Sequence, residues 1–170
     1  VVIGRYTNGT FKVQDITGVL ALAKAFKVNK SLKSANLAKN VIGDGGAIAI
    51  SAALESNTAL TQLDLSGTRI SPPGVQAITK MLDVNRSLTS VNLLHNDLGE
   101  GAAAFAAAAE QQGNIITLCG TEPDQTAVDF SRWCAKLDVF GRCLHSELGP
   151  ILGAAGAVLL GFDLKFNTAL

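Results

Sequence analysis

The side chains in this chain best suited to hold a metal are Cys119, Cys134, Cys143 and His145, the last two separated by a single residue. A structural zinc site draws four such ligands from closely spaced pairs. No C-x2-C pair occurs here, and the residues around Cys119 are those of an apolar strand. The cysteines therefore read as structural thiols, and no metal is expected. Nucleophilic catalysis has no better footing. There is no G-x-S-x-G elbow, and neither His95 nor His145 has a Ser or Cys partner at an informative spacing. Gly43-Asp44-Gly45-Gly46 precedes an apolar segment as a phosphate loop would, but no G-x-x-x-x-G-K-[ST] pattern is present. Sequons begin at Asn8, Asn29 and Asn85. Two of these belong to a regular Asn29, Asn57, Asn85 series whose middle member lacks the hydroxyl two residues on, so structural asparagines explain the series better than glycosylation does. What remains is recognition: no catalysis and no cofactor are expected.

Composition narrows the choice of partner. The 170 residues carry 14 basic and 14 acidic side chains, a net charge of zero. No surplus of Lys or Arg exists to neutralise phosphates, which argues against a nucleic-acid partner. Apolar residues make up 48% and charged residues 16%, the reverse of a disordered chain. The longest uncharged apolar run, Leu148 to Phe162, is too short to cross hydrocarbon, which takes about 20 residues. The first residues lack the basic start and apolar core of a signal peptide. With three thiols, too few for a disulfide framework, the expected location is intracellular, the cytoplasm before an organelle.

The elements that position these residues follow from a repeat. Leu32, Leu60 and Leu88 are 28 residues apart, and a constant step extends the series to Ile116. Leu37, Leu65 and Leu93 keep the same step, as do Asn29, Asn57 and Asn85, and Ile42, Ile70 and Leu98. Gly18, Gly46 and Gly74 form a fifth column, with Ala102 at the fourth position. Within one unit, Leu60, Leu63 and Leu65 suit a short strand with its leucines inward. After Gly74, Val75, Ile78, Met81 and Leu82 share one helical face. Each unit is thus strand, turn and helix, and units must stack to bury their apolar faces.

The segments Leu32-Lys-Ser-Ala35-Asn-Leu37-Ala-Lys-Asn40 and Leu88-Thr-Ser-Val91-Asn-Leu93-Leu-His-Asn96 resemble the leucine-rich repeat family, in the 28-residue class typified by ribonuclease inhibitor. The resemblance implies an α/β solenoid with a curved parallel sheet on its concave face and helices on its convex face. It also implies a protein partner. Members of the class include activators of small GTPases, but no residue here matches their catalytic arginine. Two departures stand out. Thr68 replaces the turn asparagine, which predicts a looser turn, and Ala35 replaces a core leucine.

The regular repeats span residues 15–119. Before them, residues 1–14 hold two apolar runs around Asn8-Gly9, which predicts a hairpin capping the first repeat, and Asp15 or Thr17 is expected to cap the first helix. Residues 120–147 are an irregular repeat with an insertion around Arg132 and Trp133. Residues 148–170 read as a truncated further repeat: Leu152 to Leu160 and Phe166 to Leu170 align with Ile42 to Ile50 and Ser56 to Leu60 at a constant offset, and Asn-Thr-Ala-Leu is identical. The apolar run is then a repeat helix, and the full protein is expected to continue beyond Leu170.

The side chains between the strand leucines are the candidate binding face: Lys33, Ser34, Asn36 and Lys39, then Thr61, Gln62, Asp64 and Ser66, then Thr89, Ser90, Asn92, Leu94 and His95. They include no aromatic anchor of the kind that dominates tight interfaces, so Trp133, with Arg132 beside it, is added from the insertion. The expected role is a protein-interaction scaffold, part of a longer array or of a large multi-subunit assembly. The alternative is a regulatory domain acting on an enzyme, of GTPase-activating or inhibitory type. The register makes one firm demand. Leu65→Asp or Leu93→Asp buries an unpaired charge at a cost on the order of 4–5 kcal/mol or more, and thermal denaturation should show the cooperative transition lost. An unchanged Tm in either variant contradicts the register.

Overall fold

The computed structural model describes residues 4–7, 10–13 and 15–118. Strands β1 (Gly4–Thr7) and β2 (Thr10–Val13) pair antiparallel with Thr7 opposite Thr10. The repeats follow as α1 (Thr17–Val28), β3 (Ser34–Asn36), α2 (Gly43–Leu54), β4 (Gln62–Asp64), α3 (Pro72–Leu82), β5 (Ser90–Asn92) and α4 (Gly101–Gln112). β3, β4 and β5 lie side by side in one parallel sheet, with Ser34, Gln62 and Ser90 in register. The pairing therefore advances by the sequence period.

Each helix packs on the next, α1 on α2, α2 on α3 and α3 on α4. Between the helix layer and the sheet lie Leu60, Leu63, Leu65, Leu88, Val91 and Leu93, all essentially without solvent exposure, with Val75, Ile78, Met81 and Leu82 facing them from α3. Ala35 is buried where later strands place Leu63 and Val91. Strands repeat at about 4.8 Å and helices at about 8–10 Å, so the stack bends with its sheet inward.

Local sequence decides where the helices start and stop. Pro72 and Pro73 open α3, where no amide is needed for the helical ladder. Asp44, from the preceding repeat, accepts the amides of Ser71 (2.8 Å) and Gly74 (3.1 Å) and the Ser71 hydroxyl (2.6 Å). It is a helix cap supplied by a neighbour. α4 is mostly alanine, the strongest helix former, and ends at Gly113 in the left-handed conformation. At α1, Ile16 holds the capping position expected of Asp15 or Thr17. Asp15 acts from one residue further out, its carboxylate accepting the Thr17 amide at 2.9 Å, and that bond lowers its pKa.

The glycine column is a packing requirement rather than a phosphate loop. A Cβ on Gly74 would stand 2.6 Å from Asp44 Oδ1, 2.8 Å from Ile70 Cγ2 and 3.2 Å from Ala47 Cβ, and one on Gly46 would collide with Ile42 and Val19. The fourth member is Gly101, not Ala102: a Cβ there would meet Val75 Cγ1 at 3.0 Å.

That change comes from one missing residue. Leu98 still matches Ile42 and Ile70 and is buried, yet three residues rather than four then lead to the glycine. Everything after it is shifted by one. Thr117 bridges Ser90 at a step of 27, Ile115 is buried at the place of Leu88, and Ile116 is exposed. The expected extension of the leucine column to Ile116 is thereby corrected to Ile115.

Gly74→Ala should cost about 1–3 kcal/mol through overpacking against fixed neighbours, read as a lower denaturation midpoint in urea. Asp44→Ala should cost about 1–2 kcal/mol by the loss of the cap.

Candidate binding face

Two ladders of side-chain amides hold the strands in place. At the helix-to-strand turns, Asn57 Nδ2 donates to the carbonyls of Phe26 (2.6 Å) and Asn29 (3.1 Å), one repeat back, while its Oδ1 accepts the amides of Ala59 and Leu60. Asn85 repeats the pattern toward Leu54 and Asn57. Gln112 is the fourth rung, donating to the Asn85 carbonyl at 2.8 Å and accepting the amides of Asn114 and Ile115. Asn85 is buried with its amide nitrogen fully engaged, which closes it to glycosylation.

At the strand exits, Asn96 Nδ2 donates to Leu65 and Leu93 carbonyls, and its Oδ1 accepts the amides of Thr68 and Ile70 at 3.0 Å each. Thr68 does not loosen its turn, contrary to expectation. It is fully buried, and its hydroxyl donates to the Leu65 carbonyl at 2.6 Å, as Asn40 Nδ2 does to Leu37 at 3.0 Å. The link to the previous repeat passes instead through the Thr68 carbonyl, which accepts the amides of Ile42 and Gly43.

The candidate side chains divide into two groups on this frame. Lys33, Ser34, Asn36, Lys39, Gln62 and His95 are exposed on one side of the sheet, whereas Thr61, Asp64, Ser66, Thr89, Ser90 and Asn92 are half-buried. Several are already committed. Thr61 and Thr89 hydroxyls donate to the carbonyls of Lys33 (2.9 Å) and Thr61 (3.2 Å). Asn36, Asp64 and Asn92 each accept the backbone amide two residues on, at 3.0, 2.8 and 3.0 Å. Those three fix the strand-exit turns. Leu94 is a correction: it is 5% exposed and belongs to the core, not to the open face. Arg132 and Trp133 lie outside the described residues, as do the three cysteines.

One column was not apparent from residue types. Lys39, Gly67 and His95, each 28 residues apart, all have positive φ, at 60°, 62° and 58°. Glycine takes this conformation freely, but Lys39 and His95 take it at a cost. A Cβ on Gly67 would lie 3.8 Å from Lys39 Cγ and 3.9 Å from His95 Cβ, so the two side chains flank the glycine. Although His95 is largely exposed, partial desolvation is the main influence that lowers its pKa, the Lys39 charge adds to it, and Asp64 opposes it.

Against known proteins, the family model described as Leucine Rich repeat matches residues 28–51, 56–78 and 84–106. The described residues have the fold of an α/β leucine-rich repeat solenoid, with the three matched segments as successive units. Among solved structures, that of Leiomodin-1 Actin-Binding Site 2 (ABS2) matches with a TM-score of 0.57 and 22% sequence identity. The match covers 62% of this chain and 63% of that one, under two thirds of its length, and it bears on the fold alone. No curated protein matches the chain. Among the described residues, no helix is long and apolar enough to cross a membrane.

Because a lowered pKa in the folded state means the unfolded state binds the proton more readily, protonation of His95 opposes folding. Stability should be full above the ordinary histidine range, near pH 6.5, and fall as pH drops through it toward the lower folded value. The His95 imidazole resonances should titrate below those of a histidine peptide, and Lys39→Gln should bring the midpoint upward. A His95 midpoint at or above the peptide value contradicts this electrostatic picture.

Proposed function

We propose that the protein is an interaction scaffold of the 28-residue, ribonuclease-inhibitor-like class, and that it engages a protein partner through the sheet face of its solenoid. The observation that carries this reading is the exposed group Lys33, Ser34, Asn36, Gln62 and His95. These side chains stand on backbone held by two amide ladders, so little ordering entropy is lost when they are covered. Arg132 and Trp133 extend the surface in this proposal, as the residue types best suited to anchor a contact. The reading assigns the chain no catalysis, and it includes membership of a multi-subunit assembly. The similarity in fold to an actin-binding site of leiomodin-1 makes actin one defined partner to test.

The test is a comparison of two variants of the full chain. Lys33→Glu combined with Gln62→Lys alters the sheet face, and Lys80→Glu alters the exposed side of α3. With each native partner identified by quantitative mass spectrometry, and with purified actin, the sheet-face variant should lose binding by about tenfold or more, and Lys80→Glu should not. Loss through Lys80→Glu instead would assign the contact to the helices.

A further inference from the structure

The exits of β3, β4 and β5 make the same turn. The amide of Lys39 donates to the Ser66 carbonyl and that of Gly67 to the Leu94 carbonyl, each at 2.8 Å. One residue further on, the side chains of Asn40, Thr68 and Asn96 reach back to the carbonyls of Leu37, Leu65 and Leu93. Between these two bonds the chain passes through positive φ in all three units, at Lys39, Gly67 and His95. The turn itself therefore demands the left-handed conformation. Glycine meets that demand without strain, and asparagine is the next best. The middle unit uses glycine. The flanking units hold a lysine and a histidine there, and both side chains are exposed, so packing does not account for the choice. Backbone strain of this kind collects where a side chain serves a contact rather than the fold.

The three positions together form a notch. Gly67 contributes no side chain, and Lys39 Cγ and His95 Cβ stand 3.8 and 3.9 Å from the place its Cβ would take. Bare backbone is the floor, and a long cation and an imidazole are the walls. Lys39 supplies a full positive charge. The lowered pKa of His95 leaves its ring neutral at pH 7, and a neutral imidazole still donates one N–H. Asp64, the acid whose charge reaches His95, is half-buried, and its carboxylate accepts the Ser66 amide at 2.8 Å. Among the described candidate side chains, the exposed full charges are those of Lys33 and Lys39, both basic, in a chain of zero net charge.

We propose that the notch over Gly67 takes a carboxylate from an acidic segment of the protein partner, with Lys39 pairing with it and the His95 ring N–H donating to it. This rests on the reading that the sheet face is the contact surface, and it names the chemistry of what lies there: a Glu or Asp side chain entering where Gly67 leaves room. A charge-assisted bond of this type is stronger than a neutral one, and it supplies the anchor that the face lacks in aromatic residues.

Glycine substitution separates contact from architecture. Lys39→Gly combined with His95→Gly relieves the backbone, so the Tm of the full chain should hold or rise while affinity for an acidic ligand falls. The probe is an end-capped peptide carrying two Glu residues in a Gly/Ser background, with its Gln counterpart as the neutral match. In NMR titrations of the full chain, the Glu peptide should shift the Gly67 amide and the His95 ring resonances saturably, and the Gln peptide should not. The double glycine variant, followed at the Gly67 amide, should bind the Glu peptide about tenfold more weakly. A lowered Tm in that variant overturns the proposal, because the two side chains then serve the fold. Equal responses to the two peptides, no saturable shift at Gly67, or undiminished affinity in the variant overturn it as well. If a native partner is lost through Lys33→Glu with Gln62→Lys but not through the glycine pair, this assignment falls and the sheet-face reading stands.

Discussion

The structure depends on a side chain satisfying backbone groups that two adjacent repeats leave open. Each helix-to-strand turn exposes amides of its own and lies next to unclaimed carbonyls of the turn before. A primary amide answers both, because its oxygen accepts while its nitrogen donates. Asn57 and Asn85 do this, and Gln112 does so for the shortened fourth repeat. The penalty for leaving buried backbone groups unpaired is larger than the gain from any one bond. This sets the position of each repeat on its predecessor and hence the register of the sheet, and the leucines between layers follow from that register.

The same economy governs the open face. Side chains nearest the ladder are drawn into it, as the Thr61 and Thr89 hydroxyls and the carboxamide or carboxylate of Asn36, Asp64 and Asn92 show. On the proposed face, the exposed side chains not drawn in this way include Lys33, Ser34 and Gln62. Their rigidity comes from neighbours that are not themselves available. Binding specificity on such a surface rests on spacing more than on any single anchor.

Much of this was legible in the sequence because the repeat period is a physical quantity, the length of chain needed to descend a strand and return by a helix. The columns of Leu65 and Leu93, of Ile70 and Leu98, and of Asn57 and Asn85 all face the core as their types require. Two of the misassignments share one cause. A constant step carried through the turn after Leu98 gave Ala102 and Ile116, whereas the turn is one residue shorter and Gly101 and Ile115 take those places. A second column, the amide of Gln112, marks the same slip. Thr68 and Leu94 were misread for a different reason: hydroxyl and amide can serve the same carbonyl, and a leucine beside a strand end can turn either way. The left-handed column of Lys39, Gly67 and His95 carried no signal except the glycine at its middle.

The caps and rungs also have a direction. Asp44 waits in α2 for the amides that open α3, and Asn57 and Asn85 reach back to carbonyls one repeat earlier. In each case the later segment completes its bonds on a surface that the earlier segment already presents. During synthesis the earlier segment leaves the ribosome first, so at these bonds each new unit meets an acceptor already made, while the amides of Ile42, Gly43, Thr68 and Ile70 wait for the repeat that follows. The array is suited to being built in the order in which it is translated, with each turn of growth leaving the acceptor sites for the next.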